Sequence, residues 1–183
     1  MNTLCICSKN EIYKIFQRKK YWIILTVTLG ITVCGALIGL ISNSIISFSS
    51  QNYPYVILSL CCYVFVPFTA LMLSSDLISS ECERNELRFL LTKHASRTEL
   101  LFGKLAAVIV YEFFLTAANV IAALIFSLIF SGFTSVNIFA VLMSVVITVI
   151  PIAAFVSFAG IISVFCKNGI SAFGMGVAAY GGF

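Results

Sequence analysis

Long apolar runs separated by short polar segments dominate the pattern of hydrophobic and polar positions along this chain. Four runs are each at least as long as the ~20 residues that a helix needs to cross a bilayer. They cover residues 21–41, 53–74, 105–130 and 137–165. This pattern predicts an all-α fold, a polytopic bundle of transmembrane helices that forms a single domain over residues 1–183.

A fifth apolar run starts at Ile170 and reaches Phe183. A helix of this length is roughly 21 Å long, which is less than the ~30 Å of a bilayer core. We therefore expect about five spans with the last one incomplete, in a chain that is truncated at its C-terminus. The glycines of this run predict packing against other spans, because small residues let helices approach closely.

Prolines and glycines predict irregular or closely packed points within the longer runs. Pro67 and Pro151 lie inside the second and fourth runs. A proline removes a helical hydrogen bond, so we expect a kink or a break at each position. Gly35 and Gly39 lie four residues apart in the first run, which predicts a close contact with another helix of this chain or of a second copy.

Composition supports a membrane protein. The chain is 61% hydrophobic and 10% charged, whereas a soluble domain is about 25% charged. The net charge of +4 does not indicate a nucleic-acid partner, because the cations are interrupted by Glu and flank the apolar runs. In that position Lys and Arg contact anionic headgroups of the lipid bilayer.

The cations also predict an orientation. Five Lys or Arg residues precede the first run, five lie between the second and third runs, and Lys167 lies between the fourth and fifth. The alternate loops, residues 42–52 and 131–136, carry no charge. Cationic residues near span ends resist translocation, so the N-terminus and the segment 76–104 are expected in the cytosol.

The N-terminal segment predicts a short interfacial helix over residues 8–20. Ser8 and Glu11 have the spacing of a capping box, and apolar and cationic residues follow at helical spacing. A plain charged lead-in to the first span is the alternative. Aromatic residues near the run ends are typical of interfacial belts: Tyr21, Trp22, Tyr53 and Tyr55.

The segment 76–104 is the main stretch that could meet a cytosolic partner. It contains two capping-box patterns, one starting at Ser80 and one at Ser96. Between them, Leu87, Leu90 and Leu91 share one helical face. We expect a short amphipathic helix, a turn over residues 92–95, and a helix that continues into the third span. Such a helix could insert into a groove of a soluble subunit.

This segment resembles the first cytosolic loop of type-2 ATP-binding-cassette (ABC) transporter permeases. In that family a stretch rich in Glu and in Arg or Lys is followed by Gly-Thr-Leu and further leucines. A Pro, a Ser-Arg pair and a final Gly-Lys come after them. The matching residues are Glu81, Glu83, Arg84, Leu87, Leu90, Leu91, Ser96, Arg97, Gly103 and Lys104. The chain departs from the family pattern at Asn85 and Glu86, which replace Gly-Thr, and at His94, which replaces Pro.

The resemblance implies a function. It indicates a permease subunit of an exporter for lipids, peptides, polysaccharides or drugs, paired with a second permease as a homo- or heterodimer. ATP hydrolysis would occur on a separate cytosolic ABC ATPase, so the chain would be no enzyme and would need no cofactor. We expect a bacterial plasma membrane as its location. The residues implied in ATPase coupling are Glu81, Glu83, Arg84, Leu87, Leu90, Leu91 and Arg97. A non-transporting accessory or immunity protein, or a binding subunit of another transporter type, is the alternative.

Glu112 is a candidate polar site within the membrane. It follows Lys104 by about two helical turns, or ~12 Å, and an intramembrane carboxylate is by default a functional candidate. A later start of the third span would instead place it at the headgroups. We expect no metal site, since Cys5 and Cys7 have no His nearby and the spacing of the acidic residues around His94 is irregular. An intramembrane enzyme would need paired polar groups, and Glu112 is the single candidate.

Overall fold

The computed structural model describes residues 3–41, 52–79, 97–131, 137–166 and 168–182. Regular structure in these ranges is entirely helical, which confirms the predicted all-α bundle. Four helical stretches within them are long and apolar enough to cross a membrane: Lys19–Ile38, Tyr53–Ser79, Thr98–Ile129 and Ile138–Phe165.

The first two helices, α1 (Thr3–Gln17) and α2 (Lys19–Ile41), are separated by Arg18 alone. The predicted helix start at Ser8 is wrong, because α1 begins at Thr3 and Ser8 lies inside it. Ser and Glu at this spacing also fit a helix interior, where Glu11 forms an ion pair of 2.8 Å with Lys14. Glu11 and Ile15 are buried, and α1 packs chiefly against the central helix of the bundle.

The second span is built from four consecutive helical segments. They are α3 (Tyr53–Leu60), a π-helical turn π1 (Cys61–Phe65), α4 (Val66–Ser74) and a second π-helical turn π2 (Ser75–Ser79). The irregularity predicted at Pro67 is the turn π1, which ends two residues before the proline. In an α-helix the backbone N–H of residue 67 would donate a hydrogen bond to the carbonyl of Tyr63, but proline has no N–H. That carbonyl instead accepts a hydrogen bond of 2.5 Å from the hydroxyl of Tyr180.

The central helix is α5 (Arg97–Ser131), which is continuous over 35 residues, or about 52 Å. It packs against α1, α2, α3, α4 and the later half of the fourth span. Its buried apolar residues include Ala107, Val108, Leu115 and Ala123, which belong to the main hydrophobic core. Because α5 touches most other elements, polar groups on its buried face are surrounded by protein.

The fourth span is divided, as Pro151 predicts. Helix α6 (Ile138–Ile147) ends in a turn at Thr148, and α7 (Val149–Phe165) begins directly after it. The break precedes Pro151 by three residues because the proline has no N–H for the carbonyl four residues earlier. Asn137 caps α6, since its side-chain oxygen accepts a hydrogen bond of 3.3 Å from the Ala140 nitrogen.

The last described helix, α8 (Gly169–Gly181), packs against α7, α4 and π2. Gly176 permits this approach, because a methyl group there would overlap the Leu71 side chain of α4. Gly174 and Gly181 face open space, so only part of the glycine-rich segment is closely packed. In α2, a methyl group at Gly35 would lie 3.2 Å from the hydroxyl of Tyr53. The contact predicted at Gly35 is therefore made within the chain.

A polar face on the central helix

One face of α5 carries buried polar side chains at helical spacing. Its members are Lys104, Glu112, Thr116, Asn119 and Ser127, and each is at most 2% exposed. We call this set the polar face of α5. Polar groups inside an apolar bundle need hydrogen-bond partners, because burying them unpaired costs free energy. Their partners on other helices therefore define the candidate site.

Glu112 lies inside the bundle rather than at its surface. Its side chain is 0% exposed, and Oε2 is 2.8 Å from Oγ1 of Thr69 on α4. Among the described residues, Oε1 has no hydrogen-bond partner. Glu112 is therefore buried between helices, and its depth within the membrane stays a prediction.

Thr69 also contacts its own helix. Its hydroxyl oxygen lies 2.6 Å from the carbonyl oxygen of Phe65 and 3.4 Å from that of Val66. Phe65 is the last residue of π1. Glu112 and Thr69 thus join the central helix to the end of the π-helical turn in the second span.

Asn119 connects the same face to the first span. Its Nδ2 lies 3.2 Å from Thr28 Oγ1 of α2 and 2.8 Å from the carbonyl oxygen of Leu115. Thr28 in turn donates to the carbonyl of Leu25 at 3.0 Å. The Oδ1 atom of Asn119 has no partner among the described residues. The polar face therefore holds α2 and α4 against α5 through two separate bridges.

A second cluster surrounds π2, which contains the start of the segment that resembles the coupling loop. Lys104 donates to the carbonyl of Leu77 at 2.5 Å, and Ser79 donates to the carbonyl of Ser163 on α7 at 2.8 Å. Asp76 forms an ion pair with Lys20 of α2. We call these residues of π2 and their partners the π2 junction. It ties the end of the second span to α2, α5 and α7.

Tyr21 reinforces the π2 junction. Its hydroxyl donates to Asp76 at 3.4 Å, and its carbonyl accepts from the Tyr111 hydroxyl of α5 at 2.9 Å. Tyr21 and Tyr53 are buried in the bundle, so their prediction as interfacial belt residues is wrong. Hydropathy places both at a span end but cannot show which way a ring points. Trp22 and Tyr55 are exposed, as belt residues would be.

The structure does not describe the side chains of the residues predicted to couple to an ATPase. Six of them lie outside the described residues: Glu81, Glu83, Arg84, Leu87, Leu90 and Leu91. Arg97 is the first residue of α5, and its side chain is also outside the described part. The ends of the predicted loop lie on helices, because Asp76 belongs to π2 and Lys104 to α5. Sequence reasoning missed the π2 junction, although Lys20, Asp76 and Lys104 are charges at span ends, where opposite charges can pair.

No group of three or more His, Cys, Asp or Glu side chains that could hold a metal ion occurs in the described ranges. The polar face contains one carboxyl group, and the π2 junction contains another. Within the described structure, Glu112 contacts the Thr69 hydroxyl, whereas Asp76 contacts the Lys20 ammonium group and the Tyr21 hydroxyl. The arrangement joins helices and does not form a paired acid–base site.

Comparison with known proteins assigns this chain to a family. The family model described as ABC-2 family transporter protein matches residues 6–179, which is nearly the whole chain. No curated protein matches the chain. The matched region includes α2 to α7, the segment between π2 and α5, and most of α8. The chain therefore belongs to the ABC-2 transporter family and is a multi-pass membrane permease of an ABC transporter, a membrane component that is not itself catalytic.

Proposed function

We propose that this permease couples ATP hydrolysis by a separate cytosolic ABC ATPase to the export of a lipid, peptide, polysaccharide or drug. The segment between π2 and α5 docks on the ATPase, and the bundle carries the movement to the transport path. The permease is located in a bacterial plasma membrane. It pairs there with a second permease subunit. Membership of the ABC-2 family supports the ATPase partner.

The observation that carries this proposal is the π2 junction. The docking segment is bordered by π2 on one side and by α5 on the other. These two borders are joined to each other, since Lys104 of α5 donates to the carbonyl of Leu77 in π2. They are also fixed to α2 through the Asp76–Lys20 ion pair and to α7 through Ser79. A displacement of the docking segment would therefore reach four spans at once.

The residues proposed to contact the ATPase follow from the spacing of the segment. The helical spacing of Leu87, Leu90 and Leu91 predicts that they share one face of an amphipathic helix. Leucines on the outside of a short helix are suited to a hydrophobic groove of a partner subunit. The charged residues Glu81, Glu83, Arg84 and Arg97 are proposed to form the polar rim of that contact.

The test is assembly with the ATPase in native membranes. Leu87→Asp and Leu90→Asp each place an unpaired charge in the proposed contact, which costs binding free energy. We expect both variants to insert at normal levels and to lose the copurifying ATPase. Ser47→Asp is the matched control, because it adds the same charge in a loop predicted on the opposite side of the membrane. Unchanged copurification with both leucine variants would overturn docking at this segment.

A further inference from the structure

Three oxygen atoms lie in a row between α4 and α5. The carbonyl oxygen of Phe65 is 2.6 Å from Thr69 Oγ1, and Thr69 Oγ1 is 2.8 Å from Glu112 Oε2. Both distances are typical of an O–H···O hydrogen bond. Two oxygens this close without a hydrogen between them would repel each other, so each contact requires its own hydrogen.

If Glu112 is ionised, the two O···O contacts have only one hydrogen atom between them. The hydroxyl of Thr69 supplies one hydrogen, whereas a backbone carbonyl and a carboxylate supply none. If Thr69 donates to Phe65, the contact with Glu112 lacks a hydrogen; if it donates to Glu112, the contact with Phe65 does. One further hydrogen on Glu112 fills both contacts. The protonated acid then donates to Thr69, and Thr69 donates to Phe65.

The neighbouring bridge on the same helix shows the contrast. Asn119 donates to Thr28 and to the Leu115 carbonyl, and Thr28 donates to the Leu25 carbonyl. The amide of Asn119 carries two hydrogens and the hydroxyl of Thr28 carries one. Three contacts therefore have three hydrogens, and no titratable group is needed. The bridge that contains Asn119 therefore has no shortage of hydrogens, in contrast to the bridge that contains Glu112.

In the described ranges, Glu112 forms no ion pair with a cation that could replace the hydrogen. Among the described residues, its hydrogen-bond partner is the Thr69 hydroxyl, and Oε1 has none. Lys104, two turns earlier on α5, donates to the Leu77 carbonyl. In a protonated acid Oε1 is a carbonyl oxygen, whose unfilled acceptor position costs less than that of a carboxylate oxygen.

Among the described residues, the titratable groups that interact with Glu112 are a thiol and a phenol, which ordinarily carry no charge near neutral pH. The thiol of Cys61 in π1 and the phenol of Tyr111 on α5 are close enough to interact with it electrostatically. Tyr111 donates to the carbonyl of Tyr21 on α2. The buried residues of α7 include no ionisable side chain.

We propose that Glu112 is a proton-binding site of the permease, where the neutral acid donates a hydrogen bond to Thr69 and holds α5 against α4. When the proton is released to solvent, the bridge lacks the hydrogen that it needs. The ionised carboxylate then requires water or a cationic group, so α4 and α5 separate at this level. Since α4 leads into π2, the protonation of Glu112 is linked to the position of the π2 junction.

Infrared spectroscopy of the purified protein in lipid nanodiscs tests this site directly. A protonated carboxylic acid has a C=O stretching band that is separate from those of carboxylates and amides and that shifts in D₂O. We expect such a band at neutral pH in the wild type and its loss in Glu112→Gln, whose amide group can still donate to Thr69. Glu99→Gln is the control, because it removes a carboxyl group from the first turn of the same helix.

Thr69→Val gives a second, independent outcome. It removes the acceptor of the acid hydrogen, so the band should remain and shift to higher frequency. This shift decides the question if Glu112→Gln does not fold. The proposal is overturned if the wild type has no such band at neutral pH, or if the band is unchanged in every variant. ATPase binding has no part in this measurement, so its result is independent of the docking proposal.

Discussion

The ammonium group of Lys104 lies 2.5 Å from the backbone carbonyl oxygen of Leu77, 27 residues earlier in the chain. The side chain of Lys104 is 2% exposed, so this cation is inside the protein although the sequence places it at the end of a cytosolic loop. Backbone carbonyls within π-helical turns are acceptors that a long side chain can reach. The contact closes the base of the segment proposed to bind the ATPase.

Replacing Lys104 by Met should destabilise the bundle. The variant removes the buried donor to the Leu77 carbonyl, at a cost of about 1–3 kcal/mol. Lys19→Met removes the same charge from an exposed position on α2 and should change stability by less than about 0.5 kcal/mol. Thermal unfolding in detergent compares the two. Equal melting temperatures would contradict the structural role of Lys104.

The ion pair between Lys20 and Asp76 should respond to charge reversal. Lys20→Asp and Asp76→Lys each bring like charges together, whereas the double exchange restores an opposite pair. Both side chains are partly exposed, so we expect effects of about 1 kcal/mol or less from each single change. The double variant should recover most of that loss. Lys19→Asp is the control for adding a negative charge at the start of α2, and additive effects of the two reversals would argue against the pair.

The spans and their breaks could be predicted from the sequence because they depend on local properties. The length of each apolar run defines a span, and the missing N–H of Pro67 and Pro151 defines where its hydrogen bonding changes. The start of α1 was not predictable in this way. Ser8 and Glu11 fit a capping box and equally fit a helix interior, and the sequence alone does not choose between them.

The partners in the candidate site depend on how each helix is rotated about its axis. The sequence makes Glu112 a candidate polar residue within a span, with a headgroup placement as the alternative, but its partner Thr69 is 43 residues away and on another helix. Tyr21 and Tyr53 were misassigned for the same reason, since a ring at a span end can point into lipid or into the bundle. The predicted coupling residues 81–91 lie outside the described residues, and their role stays a prediction.

Gly176 should tolerate no larger side chain while Leu71 keeps its position. A methyl group at residue 176 would overlap the end of the Leu71 side chain, and overpacking of this kind costs about 1–3 kcal/mol. Gly176→Ala should therefore lower the melting temperature, and adding Leu71→Ala should reduce the penalty attributable to the new methyl group. The methyl group added by Gly174→Ala would face open space. This variant should therefore stabilise the helix by up to about 1 kcal/mol. A stabilising effect at both glycines would contradict the packing of α8 on α4.

The distribution of cations predicts the orientation of the permease, and cysteine labelling tests it. All 11 Lys and Arg residues lie in segments predicted on one side, and the intervening loops 42–52 and 131–136 carry no charge. In a background without the 7 native cysteines, single cysteines at Ser47 and Ser135 should react with an impermeant thiol reagent on intact cells. A cysteine at Ser96, or Cys82 restored alone, should react only after the membrane is permeabilised, which also controls for buried thiols. Reaction at residue 96 on intact cells would reverse the orientation and would place the proposed docking segment on the side away from any cytosolic ATPase.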